Sequence, residues 1–333
     1  MEPRERYMAV LEGGRPDMLP RMPILMQFAA EHIGSYYGAF ASDHRVLVEA
    51  NLRCAEEFGI DQLSAISDPY RETAGFGAPI EFPRNGVPIC LKPPLEEDPD
   101  LARLSRPDPL KAPRMRDRVD AVSAYKARAG GRYSIMGWVE GPAAEAADLR
   151  GVSNFFVDLL DDPAYASALM ARCVDTAIDF ARAQVAAGAD TVGIGDAVAS
   201  QVSAKLYESL ILPHERRLVA AVHEMRARVR LHICGNIRHL LSGIASLGLD
   251  IVDIDHMVSL AEARRVLGPN IVLAGNVDPV ACVMRGSPEA IASAVRQCYA
   301  EAGEPFMVAA GCEIPASTPP ANLAALCRPI VPR

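Results

Sequence analysis

The chain has 333 residues, of which 50% are hydrophobic, 6% aromatic and 23% charged, a balance that suits one large α/β domain with a substantial core and excludes wholesale disorder. Its net charge is −8 and no block of Lys and Arg exceeds a few residues, which argues against a nucleic-acid backbone as partner. No run approaches the roughly 18–20 apolar residues of a membrane span. The opening MEPRERYMAVLEGG has no signal-peptide apolar region, and the eight cysteines contain no CxxC pair, so free thiols and a cytoplasmic location are expected.

In chain order, a charged N-terminal stretch over about 1–22 reads as a helical extension. Eight short apolar runs follow: PILMQF (23–28), DQLSAI (61–66), YSIMGW (133–138), DTVGIG (190–195), RLHIC (230–234), DIVDID (250–255), NIVLAG (270–275) and PFMVAAG (305–311). Most are too continuous for a sheet with one wet face, as in strands of a parallel sheet covered on both sides. The segments between them carry helix punctuation. Asp162–Pro163 opens one helix and Gly188 closes it, with Leu169, Cys173, Ala177 and Phe180 on one buried stripe. Ser259 with Glu262 makes a capping box before Gly268, and Ser287–Pro288 opens a helix that ends near Gly303. Residues 83–130, rich in Pro and charge, interrupt the rhythm after the second strand and read as a rim insertion. The whole chain, 1–333, is expected to be a single (β/α)8 TIM barrel, with a doubly wound open sheet as the alternative.

In such a barrel chemistry gathers at the C-terminal strand ends. Those positions carry Gln27, Asp68, Glu140, Asp196, His232 with Cys234, Asp255 with His256, Asn276 with Asp278, and Cys312. In LHICG, His232 and Cys234 stand two apart and share one face of a strand. One imidazole and two thiolates, with Cys312 from the last strand, make a borderline-soft set that suits zinc and leaves a fourth position open. The competing reading is a core histidine with two buried thiols. Glu140, in GWVEGP, needs a metal or basic partner if buried, or else caps the next helix. Asp68, in AISDP, has the same alternative.

At these residues the sequence resembles the uroporphyrinogen decarboxylase superfamily, and within it the cobalamin-dependent methyltransferase branch. The likeness runs from RERYMAVLEGGRPDMLPRMPIL through EFGIDQLSAISDP, GPAAEAADLRG and AGADTVGIGDAVAS. It is strongest in the ordered set HICG, GLDIVDID, LAGNVDP, GSPEAI, AAGCEIP and STPPANLAAL. The family fold is a (β/α)8 barrel. Decarboxylases carry N-terminal arginines for a polycarboxylate tetrapyrrole, and the matching stretch here, MQFAAEHIG over 26–34, has none.

The resemblance implies a zinc-dependent methyltransferase with His232, Cys234 and Cys312 as ligands. Glu140 would be a fourth ligand or proton handler, and Asp68 and Asp196 would orient substrate or shuttle protons. Cobalamin is expected on a separate corrinoid methyl-carrier protein, since no DxHxxG signature occurs. The expected direction is demethylation of a small methoxylated or related donor toward cob(I)alamin. The alternatives are transfer from methylcobalamin to a thiol such as coenzyme M, a uroporphyrinogen decarboxylase-like activity, and a non-catalytic metal- or corrinoid-binding role.

Overall fold

The computed structural model describes residues 1–332. Seven parallel strands form one sheet in chain order: β1 Gln62–Ser64, β2 Ser134–Glu140, β3 Thr191–Gly195, β4 Arg228–His232, β5 Ile251–Ile254, β6 Val272–Val277 and β7 Phe306–Ala310. Every residue of β2, β3, β5 and β7 is buried, the environment that near-continuous apolar runs require.

The expected first strand, 23–28, is not a regular one. Arg21 makes a single parallel bridge to Val308, Met22 N donates to the Val308 carbonyl at 2.9 Å, and Asp61 N donates to the Arg21 carbonyl at 2.8 Å. This extended segment stands in the eighth position and closes the ring between β7 and β1. Pro23 has no N–H to continue the ladder, and helix Gln27–His32 begins before the expected strand end. The closed ring with sequential strand order is a (β/α)8-type barrel; the doubly wound alternative, whose strand order reverses at a switch point, does not occur.

The helices follow their punctuation. Asp162 caps Pro163–Ala187 by accepting from Tyr165 N. Ser259 accepts from Glu262 N at the start of Leu260–Leu267, and Pro288–Ala302 ends at Gly303. The N-terminal extension is helical only over Pro3–Leu11.

The stretch 83–130 divides in two. Its first part carries one strand of a small antiparallel hairpin, Ile80–Glu81 with Ile89–Cys90, and a short 3₁₀ turn at Leu101–Arg103. Its last third is the crossover helix Pro113–Ala129, which packs on β2 and belongs to the barrel wall rather than to an insertion. Met115, Arg118, Val119, Val122 and Tyr125 are buried at helical spacing. Arginine and tyrosine in that stripe hide it from an apolar-pattern search.

The barrel interior is filled in layers. Arg230, 1% exposed, joins Asp253 at 2.9 and 3.0 Å and Gln62 Oε1 at 3.0 Å. The same face of β4 then presents His232, two residues nearer the mouth. The single tryptophan, Trp138, needs the glycines of TVGIG: a Cβ at Gly193 would lie 2.3 Å from its Cε3, and one at Gly195 2.8 Å from its Cζ2. Among the described residues, no helix is long and apolar enough to cross a membrane.

Candidate metal and active site at the barrel mouth

A cavity of about 270 Å³ opens at the C-terminal ends of the strands. His232, Cys234 and Cys312 share it with Asp68, Glu140 and Glu313, between walls that include Ile24, Ile66, Trp138 and Tyr37. The His232 Nε2 to Cys234 Sγ distance is 3.0 Å, Cys234 Sγ to Cys312 Sγ is 3.5 Å, and Cys312 Sγ to His232 Nε2 is 3.7 Å. Bonds of about 2.0–2.1 Å to nitrogen and 2.3 Å to sulfur around a tetrahedral ion set such donors about 3.5–3.8 Å apart. Two of the three spacings lie in that range, and the third, at 3.0 Å, opens to it with a small side-chain rotation.

On the far side of the imidazole, His232 Nδ1 lies 2.8 Å from Asp253 Oδ2. An ionised carboxylate only accepts, so Nδ1 carries a proton. Burial opposes the charged ring, but Asp253 and Cys312 together raise the imidazole to about 10. Nε2 is therefore protonated as well and would give up that proton to a metal, with Asp253 in the carboxylate–histidine arrangement found behind metal ligands. A hydrogen bond from Cys234 holds the Cys312 thiol down to about 4 against its burial, and His232 adds to the effect. The donor set, one nitrogen and two sulfurs with one disposed to be thiolate, fits a borderline divalent ion such as zinc.

Glu140 ends β2 in the wall of the same cavity, 7% exposed. It is not among the donor atoms gathered within 4.8 Å of one another. Its Oε1 accepts from Arg71 Nη2 at 2.5 Å and from Trp138 Nε1 at 3.1 Å. Burial pushes its carboxyl up to about 8; Arg71 opposes the rise and Glu72 adds to it. The capping alternative falls, because the helix that follows, Pro142–Arg150, is capped by Asp196 instead. Asp196 accepts from Ala143 N at 3.3 Å and Ala144 N at 2.7 Å, and a Cβ at Gly141 would strike it at 2.4 Å. Asp196 is fully buried and outside the cavity lining, so it is a helix cap rather than a substrate-facing group. Burial raises it to about 7 against those two backbone donors.

Asp68 does line the cavity. Burial favours its neutral form, but the Arg114 and Arg71 guanidiniums overcome that and hold the carboxyl below its usual range. It also accepts from Ser67 Oγ at 2.7 Å and Tyr70 N at 3.0 Å. Asp255 stands behind the site, accepting from Gly235 N at 3.0 Å and thereby holding the loop that carries Cys234. Gln27, His256, Asn276 and Asp278 do not reach the cavity; Gln27 N donates to Glu313 Oε1 at 3.2 Å.

Several site residues escaped sequence reading. Arg71 and Arg114 lie on helices away from strand ends, and Asp253 sits mid-strand in β5, opposite His232 only by register. Glu313 follows Cys312 directly, and that adjacency was its one available signal.

A family model described as uroporphyrinogen decarboxylase (URO-D) matches residues 2–330. The methylcobamide:CoM methyltransferase MtbA of Methanosarcina mazei is 27% identical over 328 residues, covering 96% of this chain and 95% of that protein. The uroporphyrinogen decarboxylase of Gloeobacter violaceus is 25% identical over 314 residues, covering 88% of each. Among solved structures, a methyltransferase from Methanosarcina mazei matches with a TM-score of 0.90 at 23% identity, over 98% of this chain and 97% of that one, a likeness of fold.

Proposed function

The chain belongs to the uroporphyrinogen decarboxylase family, and within it we propose that it is a zinc-dependent, corrinoid-linked methyltransferase. The observation that carries this reading is the convergence of His232, Cys234 and Cys312 on one side of the mouth cavity. Relatives named as corrinoid methyltransferases, matched along nearly the whole chain, support it. The direction we propose is demethylation of a small methoxylated or related donor, with the methyl group passing to a cob(I)alamin-carrying protein.

In that transfer the C–O bond breaks, the oxygen keeps the bonding pair, and the corrinoid cobalt supplies the pair for the new bond. The bound ion would supply positive charge that draws electron density from the leaving atom. Glu140, protonated at neutral pH, is placed to hand that oxygen a proton. Trp138 and Arg71 fix the Glu140 carboxyl, and Asp68, held ionised, orients polar atoms at the rim. The names of the relatives favour a second reading, methylation of a thiol by a methylcobamide at the same donor set.

Methyl transfer from a methoxylated donor to cob(I)alamin, with Glu140→Gln beside the parent, tests the proposal. The amide keeps the acceptor toward Arg71 and Trp138 but has no acidic proton. Transfer is expected to fall roughly 10- to 100-fold. The parent rate should decline as pH rises through about 8, where Glu140 loses its proton, and the variant should lack that limb. Zinc content should be unchanged and stability should stay within about 1 kcal/mol. Unchanged transfer removes Glu140 from the chemistry.

Uroporphyrinogen should not be decarboxylated above background. The helix Gln27–His32 buries Phe28, Ala29 and Ala30 where that activity needs arginines. Turnover on the order of 1 s⁻¹ or more would overturn the choice of branch.

A further inference from the structure

The mouth cavity carries three carboxyl side chains, Asp68, Glu140 and Glu313, and, among the described residues, no lysine or arginine lines it. Two guanidiniums lie just behind its wall, and both are already engaged. Arg71, fully buried, donates to Glu140 and to the Asp68 carbonyl and stands 3.5 Å from Glu72 Oε2. Arg114 donates to Asp68 and to the Ala41 carbonyl, and its guanidinium lies 4.8 Å from the centre of the Phe82 ring. Drawing either toward an incoming anion would break a buried ion pair and leave a carboxylate uncompensated. The other walls are apolar or aromatic: Ile24, Met26, Ile66, Val87, Trp138 and Tyr37.

We infer that this cavity takes an uncharged methyl-bearing molecule with an apolar or aromatic tail and rejects anionic ones, including sulfonate-bearing thiols such as coenzyme M. The inference rests on the reading of this cavity as the methyl-transfer site and names its substrate class. It separates the chain from relatives whose printed names include coenzyme M. A sulfonate or carboxylate is recognised by unpaired, preferably bidentate, cationic donors, and this cavity presents none.

Calorimetric binding to the zinc-reconstituted protein tests the inference with two matched pairs of probes: methoxybenzene against 4-methoxybenzoate, and 1-butanethiol against 2-mercaptoethanesulfonate. The anionic member of each pair is expected to bind at least about 10-fold more weakly than the neutral one. Equal or tighter binding of either anion, or no binding of the neutral members, overturns it. Val87 lines the mouth and is 53% exposed, so Val87→Arg adds a cation without disturbing the core. It should at least halve the gap; a gap that it leaves unchanged would mean that shape rejects the anion, and would overturn the proposal too. Binding is read without turnover, so a protein that keeps the charge preference but transfers no methyl overturns the methyltransferase reading alone.

Discussion

Cys312→Ser is expected to abolish metal retention and, with it, methyl transfer. A serine oxygen is a poor, usually protonated substitute for the thiolate of a borderline ion. Asp253→Asn, which alters the group behind His232 and also removes the charge paired with Arg230, should weaken metal binding by roughly 10- to 100-fold. Loss of a direct ligand should exceed that, leaving well under the about one zinc per chain expected of the parent. Cys234→Ser should behave likewise, whereas Cys90→Ser, on the hairpin, should retain metal in full. Elemental analysis after gel filtration gives the content, and the lost metal-linked stabilisation should also lower the melting temperature. Full zinc in both Cys234→Ser and Cys312→Ser would sink the site.

Arg71→Met should be the most damaging change to the fold. The parent guanidinium is fully buried, and it meets Glu140 at 2.5 Å and Glu72 at 3.5 Å. Methionine fills similar volume but leaves Glu72 without its cation and Glu140 without its donor, a loss of about 3–5 kcal/mol. The sign of the pH dependence follows from linkage. Without Arg71 the two carboxyls titrate at still higher pH, so the folded variant holds protons that its unfolded chain has released. The parent's Glu140 already holds its proton up to about 8. Through this group the variant therefore loses stability relative to the parent only as pH rises past about 8, and Glu72 adds its share above its own raised value. Urea denaturation near pH 6 and near pH 9 checks this. A loss equal at both, or larger at the acid end, would mean that the ion pair is not what Arg71 contributes.

Much of this architecture could be read one segment at a time. The parallel α/β class, the seven regular strands and the capped helices follow from near-continuous apolar runs, from Asp162–Pro163, and from Ser259 with Glu262. The eighth strand position was located but not its irregularity, because Pro20 and Pro23 weaken a ladder without removing the apolar pattern. The helix Pro113–Ala129 was missed for the converse reason: its buried stripe includes Arg118 and Tyr125. Among site residues, Glu140 and Asp68 were identified from position, and the structure gives both a place in the cavity. Asp196 was singled out on the same ground, yet it caps the neighbouring helix from one strand away.

By itself the sequence determined what local periodicity encodes. His232 and Cys234 share a face because strand side chains alternate with period two, and Cys312 stands at a mouth because it follows a buried run. The tertiary structure alone decided which groups meet across chain separation. It brought Cys312 within 3.5 Å of Cys234 over 78 positions, Asp253 behind His232 over 21, and Arg71 onto Glu140 over 69. Those meetings depend on strand register, on ring closure and on where a loop helix packs. All three are settled by the packing of the whole barrel, and no short window of sequence carries them.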